Sequence, residues 1–184
     1  TKGALKNVLD VSDKVMMADG SLEDIARFHD KINHDFKKFS SQGFRTIGIC
    51  YKDVTDDPMI NKDDEANMIF LGYVLLHDPL KTDITDVIGS LREKNVQLKI
   101  ITGDNALIAK NIAAQIGISS KKIILGKELH ALSDEAILGK VDKIDIFAET
   151  EPSQKERIVR ALQKRGHIVG YIGDGINDAT ALKA

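Results

Sequence analysis

Several residue types are scarce or absent in this chain of 184 residues. It contains no tryptophan, 5% aromatic residues and a single cysteine, Cys50. One cysteine cannot form an internal disulfide, and such sparing use is typical of a reducing compartment. No apolar run reaches the roughly 18 residues that a membrane-spanning helix requires, and the first residues lack the basic and apolar pattern of a signal peptide. Because 42% of the residues are hydrophobic, the chain can still build a core, which must be mainly aliphatic.

The charge balance argues against two kinds of partner. The formal net charge is −2, so neither nucleic acid nor an anionic membrane surface has an electrostatic reason to bind. We therefore expect no nucleic-acid partner.

The first part of the chain is predicted to mix helices and strands. Residues 1–53 read as helix, strand, helix and strand. A helix is predicted to begin at Ser21, and its stripe of apolar residues, several of them phenylalanines, is better explained as core than as a cofactor site. The polar stretch 53–67 has six acidic residues and reads as a linker or solvated loop.

From Met68 onward the pattern changes to strands alternating with helices, which predicts a parallel α/β sheet. We expect one domain over residues 1–60 and a second over residues 61–184.

The most informative stretch of the sequence is residues 171–182, which reads YIGDGINDATAL. An apolar run, residues 167–172, predicts a strand that delivers Asp174 between two glycines. Asn177 or Asp178 can then open the next helix. The two carboxylates, Asp174 and Asp178, suit Mg²⁺ held partly by protein and partly by a substrate phosphate. The simpler interpretation is a glycine turn followed by a helix cap.

A second motif, Thr102-Gly103-Asp104, follows the predicted strand 96–101 and precedes a predicted helix over residues 106–116. A hydroxyl, free backbone N–H groups and a helix N-terminus together make a phosphate cradle. By itself this tripeptide usually marks only a turn, but here it occupies the same place on its strand as Asp174 does.

A third motif places Lys155 after the predicted strand Ile146–Ala148, in the first turn of a helix that we expect Ser153 to cap. The N-terminal turn of a helix is an electrostatically poor place for a cation. Lys155 is therefore either an ordinary surface residue or a cation that neutralises a phosphoryl group during its transfer.

These three strand ends resemble the phosphotransfer site of the haloacid dehalogenase type, and the twelve-residue stretch resembles the hinge motif of P-type ion-pumping ATPases. The resemblance implies an α/β fold: a haloacid-dehalogenase-like Rossmannoid parallel sheet, the phosphorylation domain, with an α+β part of the nucleotide-binding domain. It also implies ATP and Mg²⁺ as cofactors. Residues 89–103, 126–133 and 166–177 look most like the magnesium-transporting branch.

The resemblance assigns roles residue by residue. Lys2, Arg45 and Asp78 would belong to the nucleotide site, Asp78 in the element that returns to the phosphorylation domain. Catalytic and phosphate-binding roles would fall to Thr102, Gly103, Asp104 and Lys155, with Asn177 as a further catalytic residue, and Mg²⁺ would be held by Asp174 and Asp178.

The family's nucleophilic aspartate, in an Asp-Lys-Thr-Gly-Thr motif, is missing from these residues. We therefore expect an inactive, soluble fragment of a multi-pass pump at the cytoplasmic face of a membrane. Its partners would be the actuator domain and membrane helices of the same pump, ATP and the transported cation. Two alternatives are a stand-alone phosphatase, which would need an Asp-x-Asp strand before Met68 that is absent, and a non-catalytic nucleotide-binding module derived from a pump.

The missing motif has a structural consequence. In this superfamily the nucleophile's strand lies between the strands that end at Thr102 and at Gly173. Without it, two rows of backbone groups would lack partners, at about 1–3 kcal/mol for each orphan. We expect these two strands to pair directly, to receive a segment from another chain, or to be poorly ordered.

Overall fold

The structure is a computed structural model that describes residues 1–54, 61, 64–173 and 175–184, without the side chain of Ile176. The chain forms two compact units, Thr1–Asp78 and Pro79–Ala184. This division falls after Asp78, whereas the sequence predicts a domain boundary after residue 60. The strand Met68–Leu76 belongs to the first unit because it hydrogen-bonds along its length to the strand Arg45–Tyr51.

The elements of the first unit, in chain order, are β1 (Lys2–Ala4), α1 (Leu5–Asp10), β2 (Ser12–Met16), β3 (Leu22–Asp24), α2 (His29–Ser41), β4 (Arg45–Tyr51) and β5 (Met68–Leu76). These strands form a mixed sheet with the order β1-β4-β5-β2-β3, in which only β2 and β5 run parallel.

The helix predicted from Ser21 begins later than expected. Residues Leu22–Asp24 form β3, which pairs with β2, and a 3₁₀ turn (Ile25–Phe28) precedes α2. Most of the apolar stripe is core, as predicted: Ile25 and Ile32 are buried in the cluster that α1 forms with β4 and β5, and two of the phenylalanines pack against it. Leu22, at the start of the stripe, is exposed.

The second unit contains a parallel sheet with the strand order β6-β8-β7, which confirms the predicted α/β class. Its elements are α3 (Ile84–Glu93), β6 (Ile100–Ile101), α4 (Ala106–Gln115), β7 (Ile123–Leu125), α5 (Gly126–His130), α6 (Asp134–Leu138), β8 (Ile146–Ala148), α7 (Pro152–Lys164) and α8 (Ala179–Leu182).

The central strand β8 is buried on both faces, as parallel strands between helical layers usually are. Phe147 packs in a cluster with Ile158 and Leu162 of α7, whereas Ile146 packs with Ala109 and Ala113 of α4. Helices on opposite faces of the sheet thus hold β8 in place and fix the loop that follows it.

Two predicted strands differ from expectation. The strand over residues 96–101 is reduced to β6, and residues 167–172 form no strand, with Ile168 and Ile172 almost fully exposed at 104% and 99%. Within the described residues β6 pairs only with β8, so direct pairing of the two segments, one of the three expected outcomes, is not found. A strand without a neighbour cannot satisfy its backbone groups, which explains why the regular structure stops short.

Candidate functional site

The loops that follow β6 and β8 leave the sheet at its carboxyl edge and are hydrogen-bonded to each other. The Thr102 N–H donates to the Phe147 carbonyl (2.9 Å), which continues the ladder by one bond. The Thr102 carbonyl accepts from both the N–H (3.0 Å) and the hydroxyl (2.9 Å) of Thr150. The Glu149 N–H donates to the Asp104 carbonyl at 2.9 Å. The two loops therefore form one framework.

The Thr102-Gly103-Asp104 turn is held by its own side chains. The Asp104 N–H donates to the Thr102 hydroxyl oxygen (3.0 Å), and that hydroxyl donates to Asp104 Oδ2 (3.2 Å). The Asn105 side chain caps α4 by accepting from the N–H groups of Leu107 and Ile108. Gly103 is exposed, and no described residue accepts its N–H. This turn can therefore offer the Gly103 N–H to an anion, and the Thr102 hydroxyl can donate to the same anion only by leaving Asp104 Oδ2.

Lys155 lies in the first turn of α7 and is not a surface residue. Its Nζ is 2.7 Å from Asp178 Oδ1, and the two residues are only 9% and 8% exposed. The helix begins two residues earlier than predicted: Glu151 is the N-cap in place of Ser153, and its N–H donates to Gln154 Oε1 at 2.9 Å. A buried cation at a helix N-terminus needs a counter-charge, and Asp178 supplies it.

Tyr171 also contacts Asp178, which sequence reasoning did not anticipate. Its hydroxyl donates to Oδ1 at 2.7 Å. The hydrogen bond from Lys155, followed by that from Tyr171, lowers the pKa of Asp178 below its usual value. Burial, reinforced by the bond to Asp178, raises the pKa of the Tyr171 phenol. The only sequence signal for this contact is a tyrosine near the end of an apolar run.

The glycine before Asp174 makes room for Asp178. A Cβ atom on Gly173 would lie 2.6 Å from the Cβ of Asp178, which no side chain could accommodate without a shift. The Asp178 N–H donates to the Gly175 carbonyl at 3.0 Å, which closes the 3₁₀ turn Ile176–Asp178. Asn177 is exposed on that turn. This stretch brings Asp178 back to Lys155.

The predicted metal site lies only partly within the described residues. Asp174 lies outside the described residues. Among the residues that are described, no group of three or more His, Cys, Asp or Glu side chains is placed to hold a metal ion. Asp178 uses Oδ1 for Lys155 and Tyr171, and a hydrogen bond from the Gly175 backbone also helps to lower the pKa of this carboxyl.

The predicted nucleotide residues lie in the first unit. Lys2 is opposite Ile49 in the β1–β4 ladder, so both point to the same face, and Arg45 shares that face because it is four residues from Ile49. The buried residues Thr46 and Cys50 point to the opposite, core-facing side. Lys2 and Arg45 are exposed and about 13 Å apart along the strand direction. Asp78 is the last residue of this unit.

Residues 15–184 match one family model, described as haloacid dehalogenase-like hydrolase. The whole chain aligns at 33% identity with a magnesium-transporting P-type ATPase of Salmonella typhimurium, covering 20% of that protein. It is also 33% identical to an endoplasmic reticulum calcium ATPase of Aspergillus fumigatus, where 99% of the chain covers 20% of the relative. The chain thus spans about a fifth of the length of these relatives. No helix among the described residues combines the length and apolar character needed to cross a membrane.

Proposed function

Because the chain belongs to the haloacid dehalogenase-like hydrolase family, we propose that it is the cytosolic ATP-binding and phosphorylation region of a P-type ATPase. The parent protein would couple ATP hydrolysis, through an aspartyl-phosphate, to cation transport across a membrane. The observation that carries the proposal is the buried Lys155–Asp178 pair beside the joined Thr102 and Thr150 loops.

In this proposal the Thr102 turn binds the phosphoryl group. The exposed Gly103 N–H would donate to its oxygens, and the Thr102 hydroxyl would do so by exchanging its 3.2 Å hydrogen bond to Asp104 Oδ2 for one to the phosphoryl group. Asp104 would still support the turn, because its N–H donates to the Thr102 hydroxyl oxygen. Lys155 adds a positive charge where negative charge accumulates during transfer. Since Lys155 is buried and fixed by Asp178, it needs little reorganisation to do so.

The donor set suits Mg²⁺. Asp174 and Asp178 would both supply carboxylate oxygens, the ligand type that this ion prefers, and the hydrogen bonds at Oδ1 hold the Asp178 side chain in place. When bound, Mg²⁺ would neutralise charge on the phosphoryl oxygens. We assign Asn177 to holding the exposed turn around this site.

Nucleotide would bind on the open face of the first unit. Lys2 and Arg45 are too far apart to bind the same phosphate group, so they would contact separate parts of an ATP molecule. The unit that ends at Asp78 would then be part of a nucleotide-binding domain, and the unit from Pro79 onward the phosphorylation domain.

We propose magnesium as the transported cation. The support is the similarity to magnesium-transporting P-type ATPases, which reaches 37% identity over 148 residues. The actuator domain and membrane helices of the same pump would be the partners of this region.

The test uses a pump polypeptide that contains this region together with an Asp-Lys-Thr-Gly-Thr motif. Incubation with γ-labelled ATP and Mg²⁺ is expected to give a hydroxylamine-sensitive label, and Lys155→Ala is expected to remove most of it. The matched control is Lys164→Ala, because Lys164 is exposed at the far end of the same helix. Equal labelling of all three proteins would contradict the proposed site.

The 184-residue chain provides a second test. Because it lacks the nucleophile motif, it is expected to take up no hydroxylamine-sensitive label. Labelling at Asp174 or Asp178 would overturn the assignment of those residues as metal ligands. Uptake assays of the complete pump with Mg²⁺ and Ca²⁺ in competition would decide the transported ion.

A further inference from the structure

A cavity in the Pro79–Ala184 unit is lined by four lysines. It has a volume of about 510 Å³ and lies beside the outer strand β7. Lys121 and Lys122 come directly before this strand, and Lys140 and Lys143 flank the 3₁₀ turn Val141–Lys143. Since the whole chain has a net charge of −2, this concentration of positive charge is local.

None of the four ammonium groups has an ion-pair partner within the described part of the chain. The neighbouring carboxylates are engaged elsewhere. Asp142 accepts from Arg165 and His167, and Asp145 accepts from the Ser119 hydroxyl at 2.9 Å. Glu128, the one acid among the described lining residues, accepts the Leu125 N–H at 2.8 Å, and its charge offsets one of the four lysines. The cavity therefore keeps an excess positive charge that the fold does not neutralise.

The backbone that carries these lysines is fixed. The Lys122 carbonyl accepts from the N–H groups of Asp145 and Ile146, at 2.9 and 3.2 Å, and so belongs to the sheet. The Lys140 N–H donates to the Ile137 carbonyl of α6, and the Lys143 N–H donates to the Lys140 carbonyl, each at 2.9 Å. The backbone positions of the lysines around the cavity are therefore set before any ligand arrives, although their exposed side chains still have to be ordered on binding.

We propose that this cavity binds a small, soluble anion with at least two phosphate charges, such as a diphosphate ester. Lysine is a compact point charge and a common phosphate ligand, and the described lining has four lysines against one carboxylate, an excess that matches an anion with more than one charge. The buried side chains of Ile124 and Ile144 form an apolar part of the lining that can take the body of an organic phosphate.

This site does not depend on the proposed function, because it shares no residue with the Lys155–Asp178 site. The probe is inorganic pyrophosphate, titrated by calorimetry into the 184-residue chain in EDTA. Lys140→Gln/Lys143→Gln is expected to weaken binding about tenfold, or about 1.4 kcal/mol. The matched control, Lys94→Gln/Lys110→Gln, removes two exposed lysines of the same unit outside the cavity and is expected to change the affinity less than about twofold.

A site-resolved readout separates specific binding from general attraction. Pyrophosphate is expected to protect Lys121, Lys122, Lys140 and Lys143 from acetylation, measured by mass spectrometry, and to leave Lys94 and Lys110 unprotected. Equal loss of affinity in both double variants, or no protection, would overturn the proposal. Binding to vesicles that contain phosphatidic acid without binding to pyrophosphate would also overturn it, since the ligand would then be a membrane headgroup.

Discussion

Tyr171 and Lys155 donate to the same oxygen of Asp178, each at 2.7 Å. Lys155 comes from the start of α7, whereas Tyr171 comes from the extended segment 167–173. Asp178 therefore ties the end of that segment to the helix, and the site's geometry depends on a hydroxyl as well as on an ion pair.

Replacing Tyr171 with phenylalanine is expected to destabilise the second unit by about 1.5 kcal/mol. This is the lower end of the range for a hydrogen bond to a charged group, because Tyr171 is only partly buried. Urea unfolding measures the change. Tyr51→Phe is the control, since none of the described residues pairs with that hydroxyl, and it is expected to stay within about 0.5 kcal/mol of the unchanged chain.

Lys155→Met is expected to cost more, about 3 kcal/mol, because it leaves the Asp178 carboxylate buried without its counter-charge. Adding Asp178→Asn to this variant removes the orphaned charge and is expected to recover part of the loss. Lys164→Met, at the exposed end of the same helix, serves as the control. If the double variant were less stable than Lys155→Met by the full cost of Asp178→Asn alone, the two residues would not be coupled.

Asp142 is expected to make folding sensitive to acid. The hydrogen bonds from His167 and then Arg165 lower its pKa below the usual value of 3.8. A lowered pKa adds stability above the unfolded value, and this is lost as the pH falls from about 4 through the folded value. Thermal melts of Asp142→Asn should therefore differ from those of the unchanged chain at pH 6 and converge toward them at low pH. Glu93→Gln, an exposed carboxylate without a described partner, should show no such convergence.

The 184-residue chain is expected to bind ATP only in the millimolar range or more weakly, near −4 kcal/mol. Lys2 and Arg45 are both exposed on an open sheet face, where single charges contribute little. Calorimetry of the unchanged chain, Lys2→Ala and Arg45→Ala tests this, with Lys6→Ala of α1 as the control. Micromolar binding would mean that the described face already forms a complete pocket.

The extended segment 167–173 and β6 are expected to gain protection when the missing strand is present. Hydrogen exchange of the 184-residue chain should be fast at Ile168 and Ile172, which are exposed and outside any strand. In a pump polypeptide that carries the Asp-Lys-Thr-Gly-Thr segment, the same amides should exchange many times more slowly. Unchanged exchange would mean that this segment never joins the sheet.

Local patterns predicted the elements that are held by their immediate neighbours. Ile146–Ala148 is the predicted strand, and the helix after Asn105 ends one residue before its predicted limit. Prediction failed where the structure depends on pairing with a strand distant in sequence or absent from it. Leu22–Asp24 pairs with β2 and forms β3 in place of the predicted start of a helix. The run 167–172 has no partner strand and forms none. Of the candidate site, the sequence indicated Lys155 and Asp178 but not their contact, and it gave no role to Tyr171.

Because Gly173 approaches Asp178 so closely, the residue at position 173 determines where the Asp178 side chain can lie. In a saturation library, even alanine at this position should behave like a variant of Asp178, although residue 173 carries no functional group. Variants of natural sequences that change this glycine should therefore be scored as changes to the Lys155–Asp178 pair. The absence of a Cβ atom at position 173 therefore decides whether Asp178 can occupy its place beside Lys155.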